Sequence, residues 1–208
     1  IDAFERFLKE FPNSTYKDKV HEYMVNAYLT TNNYAEAYES IKKLNSKSAK
    51  VKEAEQRVLF GMATNAIANR KYTPATEYLE TLLKQKVTDA DIKARAQFWL
   101  GECLFRSGKY AEAQACFDKY LKSNPSTSQV EYNLAYYNTA YTYFMQKQYT
   151  KANEWFNRYV TLEKENTVLL TDAYNRIGDG FYQARNFTKA LEAYSNNLVK
   201  GGTTAGVD

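Results

Sequence analysis

The sequence is poor in the residues that interrupt helices and in those that build reactive centres. Three prolines and eight glycines occur in 208 residues. Both residue types disfavour helix interiors, so their scarcity predicts long helices joined by short turns, with most of the glycines where a helix turns or stops. A single histidine, His21, excludes a two-histidine metal site and any nucleophilic triad that does not use it. It is expected as a packed or partly exposed side chain. The two cysteines, Cys103 and Cys116, flank the turn near Gly108. Burial as free thiols is the default for such residues, with a disulfide as the open alternative. No apolar run approaches the ~18 residues needed to span a bilayer, and the opening Ile1-Asp2-Ala3-Phe4 lacks signal-peptide grammar. Nor is there a large excess of one charge. The net charge is +4 and the basic residues are interspersed with acidic ones, which argues against nucleic acid as a partner.

What the sequence does hold is apolar content of 44%, enough for an ordinary core without disulfides or metals, and 19 tyrosines, which suit both wet cores and binding surfaces. It also holds a repeat. Ala37, Ala75, Ala113, Ala152 and Ala190 are spaced by 38, 38, 39 and 38 residues. Each has an aromatic three residues before it (Tyr34, Tyr72, Tyr110, Tyr149, Phe187) and a large side chain four after it (Ile41, Leu79, Phe117, Phe156, Tyr194). Seven after it stands Leu44, Leu82, Tyr120, Tyr159 or Asn197. Offsets of three, four and seven share one helix face, the face to be buried. Twelve residues before each alanine lies a smaller side chain (Val25, Ala63, Gly101, Ala140, Gly178) on a second helical stretch. Small residues there allow two helices to cross closely.

These residues resemble the tetratricopeptide repeat. Leu100-Gly101, followed by Ala113, Phe117 and Pro125, is the fullest match, with Gln97 and Leu104 in place of the pattern's outer aromatics. The resemblance implies an all-α, right-handed α-solenoid of antiparallel helix pairs with about 11 helices. The expected layout is a single solenoid over 1–200: a half-unit at 1–12, units at about 16–49, 54–87, 92–125, 131–164 and 169–202, and a flexible tail at 201–208. The period exceeds the family's usual ~34 by about one helical turn, placed between the second helix of one unit and the first of the next. The leading half-unit suggests a piece of a longer array. Two phrases, Phe98-Trp99-Leu100-Gly101-Glu102 and Phe7-Leu8-Lys9-Glu10-Phe11-Pro12-Asn13-Ser14, are similar to repeats of bacterial cell-envelope proteins of the Tol-Pal coordinator and outer-membrane assembly lipoprotein type. That similarity implies a periplasmic or outer-membrane-associated setting, with the cytoplasm left open.

In this family the first helix of each pair lines the concave face. The candidate partner-binding residues are therefore Tyr23 and Asn26; Arg57, Phe60 and Thr64; Arg95, Phe98, Glu102 and Arg106; Tyr137, Tyr141 and Phe144; and Asn175, Asp179 and Tyr182. Aromatic rings edged by arginines suit an extended peptide or an apolar helix. The competing reading makes these rings core. A carboxylate clamp of the chaperone-binding type is disfavoured because Glu22 stands one turn before Asn26. The expectation is thus a non-enzymatic scaffold for a protein or peptide, without cofactor. The alternative is a glycan binder using tyrosines with Trp99 or Trp155, against which the even spacing leaves little room for inserted loops. RNA reading would need a recurring residue pair per unit, and Tyr23, Gly61, Trp99, Asn138 and Arg176 at one equivalent place show none.

Overall fold

A computed structural model describes residues 1–87 and 89–200. The tail expected at 201–208 and the side chain of Asn197 lie outside the described residues. Among those described, the chain forms eleven α-helices and no strand. It falls into two compact units, Ile1–Cys103 and Leu104–Asp208.

The first unit contains α1 (Asp2–Glu10), α2 (Lys17–Thr30), α3 (Tyr34–Lys42), α4 (Ala49–Ala68), α5 (Tyr72–Lys84) and most of α6 (Ala90–Arg106). Helices α2 and α3 pack as one hairpin, α4 and α5 as the next, and α4 lies against both members of the first. Ala37, Ile41, Val58 and Leu59 are wholly enclosed, with Val20, Met24, Val25 and Tyr28 beside them. Phe4, Phe7 and Leu8 of α1 cover the open side of this cluster. Helix α4 starts where the Ser48 hydroxyl accepts the Val51 N–H, which satisfies one of the otherwise unpaired donors of a first turn.

The second unit contains α7 (Tyr110–Lys122), α8 (Val130–Met145), α9 (Tyr149–Leu162), α10 (Thr167–Gln183) and α11 (Phe187–Lys200). Its pairs are α8 with α9 and α10 with α11, and α9 also packs on α10. Ala140, Ala152, Phe156, Tyr159 and Ala173 have no exposed surface. Between α9 and α10 the Glu163 carboxylate accepts the N–H groups of Lys164, Glu165 and Asn166 and the Asn133 side-chain amide. Burial alone would raise its pKa, but these donors outweigh it and hold the group below its usual value.

The repeated alanines are buried as expected: Ala37, Ala75, Ala113 and Ala152 at 0% exposure and Ala190 at 2%. Of their partners four and seven residues on, Ile41, Leu79, Leu82, Phe117, Tyr120, Phe156 and Tyr159 are also at 0% and Leu44 is at 9%, whereas Tyr194 is only half-buried. The aromatics three residues before lie at the helix starts and are only half-buried, and Phe187 is exposed.

Each hairpin turns through the same bend. Asn32, Arg70, Gly108, Lys147 and Arg185 all have positive φ, from 55° to 76°. Each stands five residues before its marker alanine. The next residue's N–H returns to a carbonyl of the first helix: Asn33 to Tyr28, Lys71 to Ala66, Lys109 to Leu104, Gln148 to Tyr143 and Asn186 to Phe181, at 2.8 to 2.9 Å. This left-handed cap closes the otherwise unpaired carbonyls at a helix end. Only one of the five bends uses glycine. The expectation that most glycines mark helix ends is therefore corrected, since Gly61, Gly101, Gly178 and Gly180 lie inside helices. The reason is space. A Cβ on Gly61 would overlap the Tyr34 ring, one on Gly178 the Tyr194 ring, and one on Gly180 the Asn153 amide.

Candidate functional site

In the first unit, successive turns of α4 present Arg57, Phe60, Gly61 and Thr64 on one stripe, as the offsets of three and four require. These residues and the α6 side chains Ile92 and Arg95 line a cleft of about 400 Å³, closed at one end by Leu29, Asn32 and Tyr34. The Arg95 guanidinium lies 5.2 Å from the Phe60 ring centre, over its face, a cation–π contact that fixes both groups. Arg95 also stands 3.9 Å from Asp91, a long ion pair. The Tyr34 ring occupies the space over Gly61, and its hydroxyl donates to the Asn32 side chain at 2.8 Å. Arg57 is exposed and has no ion-pair partner among the described residues. A second cleft, of about 490 Å³, continues along α4 and shares Arg57 and Ile92; its other walls are Glu53, Gln56 and Asp89. The first cleft thus holds the apolar surface, with Arg57 and Arg95 at its side, and the second is lined mainly by polar and charged groups.

Four expected residues, Arg57, Phe60, Thr64 and Arg95, come together here. Tyr23 and Asn26 are exposed on α2, where Tyr23 stacks on Phe4 at 5.9 Å. Phe98 is corrected from surface to core: its exposure is 1%, and its ring meets Trp99 edge-on at 5.2 Å. Glu102 is half-buried.

In the second unit, Tyr137, Tyr141 and Phe144 are half-buried on α8. Both tyrosine hydroxyls donate to Asp172 of α10, Tyr137 at 2.8 Å. Arg176, one turn further along α10, stands 3.4 Å from Asp172, 2.6 Å from Asp179, and 5.7 Å from the Phe144 ring centre. Tyr194 of α11 donates to Asp179 at 2.8 Å. Burial disfavours the Arg176 cation, but Tyr141, Asp172 and Asp179 outweigh that and raise its pKa. Burial, then Tyr141 and Asp172, push the Tyr137 hydroxyl far above its ordinary value, and burial and Asp179 push Tyr194 up to about 12. These tyrosines therefore act as donors at any ordinary pH. Asn175 is half-buried, Arg106 is exposed, and Tyr182 is exposed with Phe187 edge-on at 5.5 Å.

Sequence reading missed Asp172 and Arg176 as members of this network. Asp172 stands eighteen residues before Ala190, the place that Arg57 and Arg95 hold before Ala75 and Ala113. The Asp-to-Arg spacing of four on one helix also signals a pair.

The remaining reactive groups are enclosed. His21 is 2% exposed and its Nδ1 has no hydrogen-bond partner. Cys103 and Cys116 are buried free thiols, and burial raises Cys103 to about 11. Among the described residues no group of acidic, histidine and cysteine side chains is arranged to hold a metal, and no helix is long and apolar enough to cross a membrane.

Among solved structures, MamA aligns over 94% of this chain and 97% of its own, at 17% identity and a TM-score of 0.66. BtubC (BKLC) from P. vanneervenii aligns over 100% and 89%, at 13% identity and 0.66. YrrB, described as a TPR protein with an unusual peptide-binding site, aligns over 95% and 91%, at 15% identity and 0.63. At such identities the likeness is one of fold. No curated protein matches the chain. The family model of the tetratricopeptide repeat matches residues 60–128 and 104–166, together just over half of the sequence. The bends, the buried alanines and this match agree, and the chain belongs to the tetratricopeptide repeat family.

Proposed function

We propose that the chain is a non-enzymatic scaffold that captures an extended segment of a partner protein on the first-helix face, through the cleft along α4. The observation that carries this reading is the convergence of Phe60, Tyr34 and Ile92 with Arg57 and Arg95 at one opening. Aromatic and arginine side chains on fixed helices give large contact area and directed charge with little ordering cost. Capture of a peptide fits the family and the description of YrrB. We further propose that the repeats run as one array over 1–200 with the unit edges given above, and that Tyr23, Asn26, Glu102, Arg106, Asn175 and Tyr182 extend the binding face locally within each unit. Tyr137, Tyr141 and Asp179 serve it as a rigid wall because their polar groups are already engaged, and Phe144 does so beneath the Arg176 guanidinium. The bacterial-envelope setting rests on the two sequence phrases alone, and no matched protein supports it. The glycan alternative is weakened because Phe98 lies edge-on to Trp99 and Arg158 lies 4.7 Å from the Trp155 ring centre, over its face.

The test is selection of a random seven-residue peptide library on the chain, followed by affinity measurement on variants. Phe60→Ala and Arg57→Glu should each weaken the selected peptides about tenfold or more, with far-UV circular dichroism unchanged. Selected peptides that bind both variants as tightly as the parent would refute the proposal.

A further inference from the structure

The charges along α4 are ordered. Glu53, Arg57 and Gly61 stand on successive turns of one stripe, flanked in turn by Asp89 from the segment before α6, Arg95 of α6 and Tyr34 of α3. Asp89 faces the same opening as Glu53. Arg95 faces the opening of Arg57 and covers the Phe60 ring, while Tyr34 lies over Gly61. The surface therefore runs from acidic through basic to apolar, along a line shared by two adjoining clefts. Glu53 and Arg57 are both exposed and, although one turn apart, form no ion pair with each other or with another described residue. Their charges are left for something else to meet.

The spacing says what that is. Four residues of α-helix rise about 6 Å. Alternate side chains of an extended chain, which point to the same side, are about 6.6–6.8 Å apart. A strand-like segment laid along α4 therefore keeps step with the helix over three positions. From these observations we infer that this face recognises an extended protein segment carrying a basic, an acidic and an apolar side chain at alternate positions, in that order. The basic group meets Glu53 and Asp89, the carboxylate meets Arg57 and Arg95, and the apolar side chain lies on Phe60 and Tyr34. Because the match is between side chains, the order holds whichever way the segment's backbone runs. The middle position discriminates most, since a basic residue there would face two guanidinium groups, and like-charge contacts at an interface are strongly unfavourable.

This inference rests on the cleft reading above, and its test separates the two. Fluorescein-labelled peptides containing Lys-x-Glu-x-Leu and Glu-x-Lys-x-Leu, with x as serine, have the same composition and charge. Fluorescence anisotropy on the intact chain should show the first binding about tenfold or more tighter. On Arg57→Glu that preference should vanish or invert, and on Phe60→Ala both peptides should weaken. Equal binding of the two peptides, with both weakened by Phe60→Ala, overturns the charge order and leaves the cleft reading standing. Binding of both that is indifferent to Phe60→Ala and Arg57→Glu, or no binding of either, overturns the inference. In the indifferent case the cleft reading falls with it if library-selected peptides are equally indifferent.

Discussion

Replacing Gly178 by alanine tests the packing logic of the repeat at its tightest point. On an exposed helix this change would stabilise the protein by about 1 kcal/mol, because glycine is the poorer helix former. Here the new Cβ would overlap the Tyr194 ring. Relieving the overlap moves a side chain whose hydroxyl donates to Asp179 at 2.8 Å. Overpacking of this kind costs about 1–3 kcal/mol. A hydrogen bond to a carboxylate contributes about 1.5–3 kcal/mol when enclosed, and about 1 kcal/mol is the fair figure here because Asp179 is 33% exposed. The steric and hydrogen-bond losses exceed the helix-propensity gain, so the net expectation is destabilisation by about 2 kcal/mol, read as a drop in Tm of roughly 4–8 °C for a chain of this length. Urea unfolding followed by circular dichroism gives the free energy directly. Tyr194→Ala supplies the control: with the ring gone, the same Gly178→Ala change should become neutral or stabilising by up to about 1 kcal/mol. If Gly178→Ala raises stability in the parent chain, or costs the same with and without the Tyr194 ring, the close-approach argument is wrong.

Other expectations follow from the same structure. Lys147→Gly should raise stability by about 0.5–1 kcal/mol in urea unfolding, since Lys147 is exposed and holds φ at 59°, a conformation that glycine adopts without strain. Ala113→Trp, at a site with 0% exposure on α7, should unfold its own repeat by overpacking, seen as a large loss of helicity or cooperativity. His21 should make stability fall on acidification. Burial first, then Lys43 and Lys17, lowers its pKa in the folded chain, so the unfolded chain takes up a proton more readily. Its contribution is complete above pH ~6.5 and is lost as pH drops below that value through the depressed folded one. His21→Gln should flatten that part of the stability profile, and an unchanged slope would refute the assignment.

Much of the hairpin architecture was legible because burial imposes period. Ala75, Leu79 and Leu82 share a face that only a packed helix explains, and their equivalents recur at a near-constant spacing. The bends were not legible, because four of the five hairpin bends carry Asn, Arg or Lys at their positive-φ position. The hydrogen bond from the following N–H holds the conformation there, and that bond leaves no composition signal. The interior glycines misled for the complementary reason. Gly61 and Gly178 are fixed by rings arriving from elsewhere in the sequence, Tyr34 and Tyr194. At the candidate site the stripe of Arg57, Phe60 and Arg95 followed from helix phase. Phe60 and Phe98 hold equivalent places in their repeats, yet one edges a cleft and the other is enclosed. Phase sets which way a residue faces, and exposure depends on what neighbouring helices place over it. The Asp172–Arg176–Asp179 network was hidden because its partners, Tyr137, Tyr141 and Tyr194, come from three other turns of structure.

The central claim is that the α4 cleft is where a partner segment binds. Backbone-amide chemical-shift mapping of the isotope-labelled chain, titrated with the Lys-x-Glu-x-Leu peptide, tests it most directly. The largest shifts should fall at Glu53, Arg57, Phe60, Thr64, Ile92 and Arg95, with little change in α10 and α11. Saturable shifts centred elsewhere, with those six residues unmoved, would contradict it.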